Sequence, residues 1–247
     1  RLRSLQPRLI SFNGGSLRNA LAREACVTFS IEQIHSAQLV PLLAQFEADL
    51  EQIYHRCEPH LKLQLVETET TTPALSAAAS AQLCGALLTC PHGVLRMSDS
   101  LEGIVETSNN LASVSLVDGS VQIKCMARSL IDVARDDLAT NIATHFGLIG
   151  ADTLVDGHYP GWAPNMQSPL LAVMRRVYSE KYGHEPAVKV IHAGLECGLL
   201  AGAYPQWDMI SLGPTIRRAH SPEEKVNVPS VKAFWECVVA GLAAIPE

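Results

Sequence analysis

The chain has 247 residues, 47% of them hydrophobic and 18% charged, with a formal net charge of −6 at pH 7. That length buries a sizeable core without disulfide staples, and the composition excludes a disordered or low-complexity chain. An acidic balance argues against a general nucleic-acid partner, which needs a basic face, and no apolar run approaches the roughly 18 to 20 residues of a membrane helix.

Residues 7–12 (PRLISF) and 24–31 (EACVTFSI) are rich in β-branched and aromatic side chains and predict strands around the bend Asn13-Gly14-Gly15. Over 31–58 the spacing of Ile34, Leu39, Leu42, Leu43, Phe46, Leu50 and Ile53 predicts a helix, entered at Ser30, Glu32 and Gln33. LKLQLVE (61–67) alternates apolar and polar residues and predicts a half-buried strand, followed by a polar linker over 68–72. An Ala-rich helix follows over 73–89, with Pro73 near its start. Two alternating runs, 104–117 and 120–128, flank Asp118-Gly119, a strong hairpin signal. Residues 129–147 read as a helix burying Leu130, Ile131, Val133, Ala134, Leu138, Ile142 and Phe146, and 153–155 as a short strand. This pattern gives an α+β domain over 1–157, an antiparallel sheet with helices on one face.

Gly157, Pro160, Gly161 and Pro164 mark a linker or hinge over 157–164. Beyond it come a helix over 168–182, a strand over 187–191, a short helix over 195–201, a strand over 208–212, a loop over 213–228 and a helix over 229–244. Apolar strands alternating with helices predict a parallel or mixed sheet, so 158–247 is expected as the C-terminal portion of an α/β domain. Two strands do not complete such a sheet. The first residue is Arg1, and the opening RLRSLQPRLISF reads as a run into a strand. The expectation is a chain without its N-terminal part, a processed terminus being the alternative.

Seven scattered cysteines without a C-x-x-C pair predict small core residues in a reducing, cytoplasmic setting. In α/β sheets ligands collect at the carboxyl ends of strands, which singles out His192–Gly198 and the loop Gly213–Glu224. His220 reads either as a metal ligand or as a surface-loop histidine, and no H-E-x-x-H or H-x-E motif supplies further ligands. Glu196 is either an acid–base or ligand group or a first-turn carboxylate serving the helix dipole. Arg128, at the end of a predicted strand, is either solvated or a bidentate clamp for a carboxylate. Asn19, in SLRNA, is either a capping or turn residue or a hydrogen-bonding partner for a ligand.

The segments GGSLRNALAREACVTF, GIVETSNNLASV, CMARSLID, YPGW, HAGLECGLL, DMISLGPTIRRAHSPEEKV and FWECVVAGLAAIP, in this order along nearly the whole chain, resemble the aminoacyl-histidine (Xaa-His) dipeptidases, or peptidase D, of the M20 family of zinc metallopeptidases. The resemblance implies a lid-type domain over 1–157 joined to the C-terminal portion of a catalytic domain over 158–247. It implies two zinc ions in the intact enzyme, of which this chain supplies one ligand, His220. It implies substrate contacts from Asn19, Arg128 and the backbone at Gly194, and no catalytic residue within this stretch. Arg217-Arg218-Ala219 departs from the small residues usual before HSP in the family.

In such an enzyme a zinc-bound water attacks the peptide bond while the lid closes over a short peptide substrate. The expected setting is a cytoplasmic homodimer without nucleic-acid or membrane partners, and the 247 residues alone are expected to be inactive. Another peptidase or deacylase activity of the same family, and a non-catalytic dimerisation module, are the alternatives.

Overall fold

The computed structural model describes residues 2–99, 101–158, 160–162, 165–190, 196–219 and 223–245. In chain order the elements are β1 (Arg8–Gly14), β2 (Ala25–Ser30), α1 (Ser36–Tyr54), α2 (Ala77–Thr89), β3 (Gly93–Met97), β4 (Val105–Val117), β5 (Ser120–Ser129), α3 (Asp132–Gly147), α4 (Pro169–Tyr182), α5 (Glu196–Ala203), β6 (Ile216–Arg217), β7 (Lys225–Val226) and α6 (Val228–Ala244). The chain is a mixed α and β structure, as its patterning predicts. It packs as two compact units, Arg1–His92 with Asn110–Met126 and Asn141–Thr153, and Gly93–Asn109 with Ala127–Thr140 and Leu154–Glu247.

In the first unit β1 pairs antiparallel with β2, from Arg8 opposite Ser30 to Gly14 opposite Ala25, with a bulge between Leu9 and Ser11. On its other edge β1 pairs with β4, Phe12 lying opposite Leu116. Leu9, Leu83 and Leu116 form a buried cluster, with Phe12, Phe29, Leu75, Cys84, Leu87 and Ile123 packed around it. The Ala-rich composition of α2 leaves it slim enough to lie close to β1. Ser76 caps α2, accepting the Ala79 N–H at 3.1 Å. One turn on, the buried Ser80 hydroxyl accepts the Leu9 N–H at 2.9 Å. The Leu9 carbonyl accepts from the Leu75 N–H at 2.7 Å. These bonds supply partners at a bulge, where ladder pairing fails. His145 of α3 donates from Nε2 to the Ala86 carbonyl at 2.8 Å, fixing α3 to the last turn of α2.

In the second unit β3 pairs with the first half of β4, Gly93 lying opposite Asn109 and Arg96 opposite Thr107. α4 and α6 pack together, with the Tyr182 hydroxyl donating to the Ala233 carbonyl at 3.0 Å and Lys181 paired with Glu236 at 3.1 Å. Gly241 makes room for the thioether of Met174. Asp118 and Gly119 both take positive φ, 49° and 76°, the conformation of a two-residue turn that matches strand twist. β5 accordingly returns along β4.

Several sequence expectations need correction. Residues 61–67 form no strand, and Leu61, Leu65 and Val66 are exposed, because alternation alone supplies no neighbouring ladder. Residues 153–155 are likewise irregular, with Leu154 82% exposed. Neither the described part of 187–191 nor 208–212 is a strand, so no parallel sheet forms among the described residues. Asp208 is used instead to cap α4, its Oδ2 accepting from the Ser168 hydroxyl and the Leu170 N–H, both at 2.8 Å. The loop 213–228 holds the small antiparallel pair β6–β7. Helix α1 starts at Ser36 after a 3-10 turn, and Ile34 and Ile53 are exposed. In α3 only Leu138, Ile142 and Phe146 of the expected stripe are buried, the residues spaced four apart on one face.

Replacing Ser80 with alanine leaves the Leu9 N–H buried without its acceptor. Urea unfolding of Ser80→Ala is expected to show a loss of about 1–3 kcal/mol with an unchanged denaturant slope.

Candidate functional site

Asn19 is exposed and sits in the turn closed by the Ala20 N–H on the Leu17 carbonyl at 3.2 Å. Two contacts hold that turn. Asn110 of β4 donates from Nδ2 to the Arg18 carbonyl at 3.0 Å and to the Ala20 carbonyl at 2.8 Å, bracketing Asn19. Gly15, at φ 72°, lies against the Ala112 carbonyl, which stands where a side chain would begin. Asn19 is thus presented to solvent from a backbone that β4 fixes. No sequence signal singled out Asn110, which reaches across about ninety residues of chain.

In the second unit Arg128 is half-buried near the end of β5. The strand end around it is strongly constrained. The hydroxyls of Ser129 and Thr107 are 2.9 Å apart. The Ser129 hydroxyl also accepts the Ile131 N–H at 3.1 Å. The Leu130 N–H donates to the Glu106 carbonyl at 3.0 Å. The Glu106 carboxylate is itself buried and is paired with Arg96 Nη1 at 3.1 Å, as a buried charge requires. A fixed strand end lets a guanidinium meet a carboxylate without first losing backbone freedom.

Residues 160 and 161 pack directly behind this strand end. Asp132 Oδ1, at the start of α3, accepts the Gly161 N–H at 2.7 Å and Arg135 Nη1 at 2.8 Å. A β-carbon on Gly161 would stand 2.7 Å from the Leu130 carbonyl, and one on Gly198 of α5 would stand 2.7 Å from the Pro160 carbonyl. Residues 160–161 are therefore wedged between the strand end bearing Arg128 and helix α5.

Gly194 and His220, together with His192, lie outside the described residues. Glu196 is the exposed first residue of α5, a position where a carboxylate faces the positive end of the helix dipole. Among the described residues no group of three His, Cys, Asp or Glu side chains converges as a metal site, so these residues do not by themselves fit a zinc centre. No helix among them is long and apolar enough to cross a membrane. Of the cysteines, Cys90 and Cys237 are buried as core residues, whereas Cys26 and Cys57 are exposed. Burial pushes the Cys84 thiol above its ordinary range. A hydrogen bond with Cys125, together with burial, pushes Cys90 up further. Neither suits the role of thiolate nucleophile.

No family model matches the chain. It is 39% identical over 242 residues to a cytosol non-specific dipeptidase of Escherichia coli (strain K12), a match covering 98% of this chain and 50% of that protein. Its fold superposes on the crystal structure of an aminoacylhistidine dipeptidase from Vibrio alginolyticus with a TM-score of 0.86 and 40% identity, covering all of this chain and 50% of that one. Along essentially its whole length the chain is thus similar, in sequence and in fold, to dipeptidases. The chain spans about half the length of these two dipeptidases.

Alkylation by iodoacetamide at about pH 8 is expected to label Cys26 and Cys57 first, since a raised thiol pKa leaves less thiolate at a given pH. Peptide mass spectrometry that found Cys84 or Cys90 labelled as fast would contradict the burial described here.

Proposed function

We propose that this chain forms the substrate-gripping portion of a dipeptidase that hydrolyses Xaa-His dipeptides. The observation that carries the reading is identity of 39–40% to two dipeptidases along essentially the whole chain. In this reading residues 1–157 act as the lid and residues 158–247 as the C-terminal portion of the catalytic domain, a functional division that runs across the two packing units. Arg128 takes the free terminal carboxylate of the substrate in a charge-assisted, two-pronged hydrogen bond. Asn19 offers a second polar contact, and the backbone at Gly194 a third. His220 is this chain's ligand to zinc, the remaining ligands coming from outside the described residues. The bond-breaking step belongs to no described residue. A cytoplasmic homodimer is the setting attached to this reading.

The names of the two relatives differ in breadth, one non-specific and one aminoacylhistidine. An arginine grip on a terminal carboxylate reads the length and free end of a substrate and is indifferent to its side chains, so it suits both. The carboxylate requirement is therefore the sharpest consequence of the proposal.

The assembled enzyme, this chain joined to the half of the relatives' length that it does not span, is the object to test. Arg128→Ala is expected to raise KM for a Xaa-His dipeptide about 10- to 100-fold, the loss of a hydrogen bond to a charged group. KM for the corresponding dipeptide amide is expected to stay where it was. An equal effect on both substrates would overturn the assignment of Arg128. The 247 residues alone, supplied with zinc, are expected to show no dipeptide hydrolysis, since one imidazole does not hold a hydrolytic metal centre. Zinc-dependent turnover by the purified chain would refute that.

A further inference from the structure

The segment RSLID and Gly161 are close in space although about thirty residues apart, and the role given to Arg128 accounts for neither Asp132 nor Gly161. The Asp132 carboxylate sits four residues after Arg128, at the first turn of α3. One of its oxygens receives both the Gly161 N–H, at 2.7 Å, and the Arg135 guanidinium, at 2.8 Å. Gly161 then packs backbone against backbone on Ser129 and Leu130, with no room for a β-carbon. Its neighbour Pro160 presents a carbonyl to Gly198, where α5 is equally bare. Two glycines and one carboxylate thus join the end of β5 to α5 through residues 160 and 161. Such backbone contacts do not adjust as side chains do, because a shift must move a whole segment.

We propose that Asp132 is a positioning residue for the substrate grip: by holding Gly161 against Leu130 it fixes the strand end from which Arg128 reaches the substrate carboxylate. The inference rests on the reading of Arg128 given above. It assigns the 157–164 segment a different task from that of a free hinge, since its middle is clamped on both sides. Asp132 touches no substrate. Its effect passes through Arg128, and small displacements of a binding group are costly when the group must meet two oxygens at once.

Amide hydrogen exchange on this chain and kinetics on the assembled enzyme test the proposal together. In the chain, Asp132→Ala is expected to speed exchange of the Gly161 amide, while Asp132→Asn, which keeps an oxygen acceptor, is expected to retain most of its protection. In the enzyme, Asp132→Ala is expected to raise KM for the Xaa-His dipeptide about tenfold with kcat little changed, and Asp132→Asn to restore it. Placed on Arg128→Ala, the same substitution is expected to add nothing, the signature of residues acting as one unit. It is also expected to leave KM for the dipeptide amide alone. A further rise of KM in the Arg128→Ala background, an equal rise for the amide, or unaltered exchange at Gly161 would each overturn the role of Asp132. Failure of Arg128→Ala by itself to discriminate acid from amide would instead overturn the reading of Arg128.

Discussion

Strand β4 has thirteen residues, and every one of its backbone donors and acceptors that is buried needs a partner. Its first half is served by β3, its second half by β1, and β5 returns along it from the Asp118-Gly119 turn. Buried side chains along it change character from the first half to the second. Ala112, Val114 and Leu116 join the apolar interior, whereas Glu106 and Thr107 anchor a polar chain to Ser129. Asn110 holds the turn bearing Asn19. In each packing unit, then, a β4 residue fastens the backbone near one candidate: Asn110 holds the Asn19 turn in the first, and the Glu106 carbonyl holds Leu130 in the second.

In the proposed reading, substrate binding comes from placement more than from unusual chemistry. Asn19 and Arg128 are ordinary polar groups, and what distinguishes them is the constraint on the main chain beneath them. For Asn19 the constraint is a pair of side-chain amide bonds to flanking carbonyls and a glycine pressed on β4. For Arg128 it is a hydroxyl pair, the buried Glu106 carboxylate with its half-exposed partner Arg96, and the glycine wedge at 160–161. The entropy lost in ordering a binding group is then lost on folding, before any substrate arrives.

Glycine and small residues recur where segments approach at backbone distance. Gly15 on Ala112, Gly161 on Leu130, Gly198 on Pro160 and Gly241 on Met174 each occupy a place where a β-carbon would collide. These contacts explain Gly15 of GGSLRN, Gly161 of YPGW and Gly198 of HAGLECG, which would otherwise read only as turn formers. The thiols have a plainer explanation: Cys84 and Cys90 lie on α2 and at its end, where burial raises the first thiol and a hydrogen bond with Cys125, together with burial, raises the second.

Much was legible from local chemistry. The hairpin at Asp118-Gly119, the Ala-rich α2, the capped helix starting at Pro169 and the terminal α6 all follow from short-range rules of turn residues, caps and periodicity. Strand β3 was not legible, nor was the fate of 61–67 and 208–212, because a strand exists only when another strand is alongside, and sequence alternation does not name that neighbour. Arg128 and Asn19 could be named as candidates by residue type and by motif. The pairing of Asp132 with Gly161, of Asn110 with the Asn19 turn and of Thr107 with Ser129 could not, since each bond joins residues 22 to 92 positions apart. The sequence by itself determined which segments are helices and turns and which side chains could grip a carboxylate; the tertiary structure alone decided which distant backbone each is fastened to, because such fastening is a property of proximity in space.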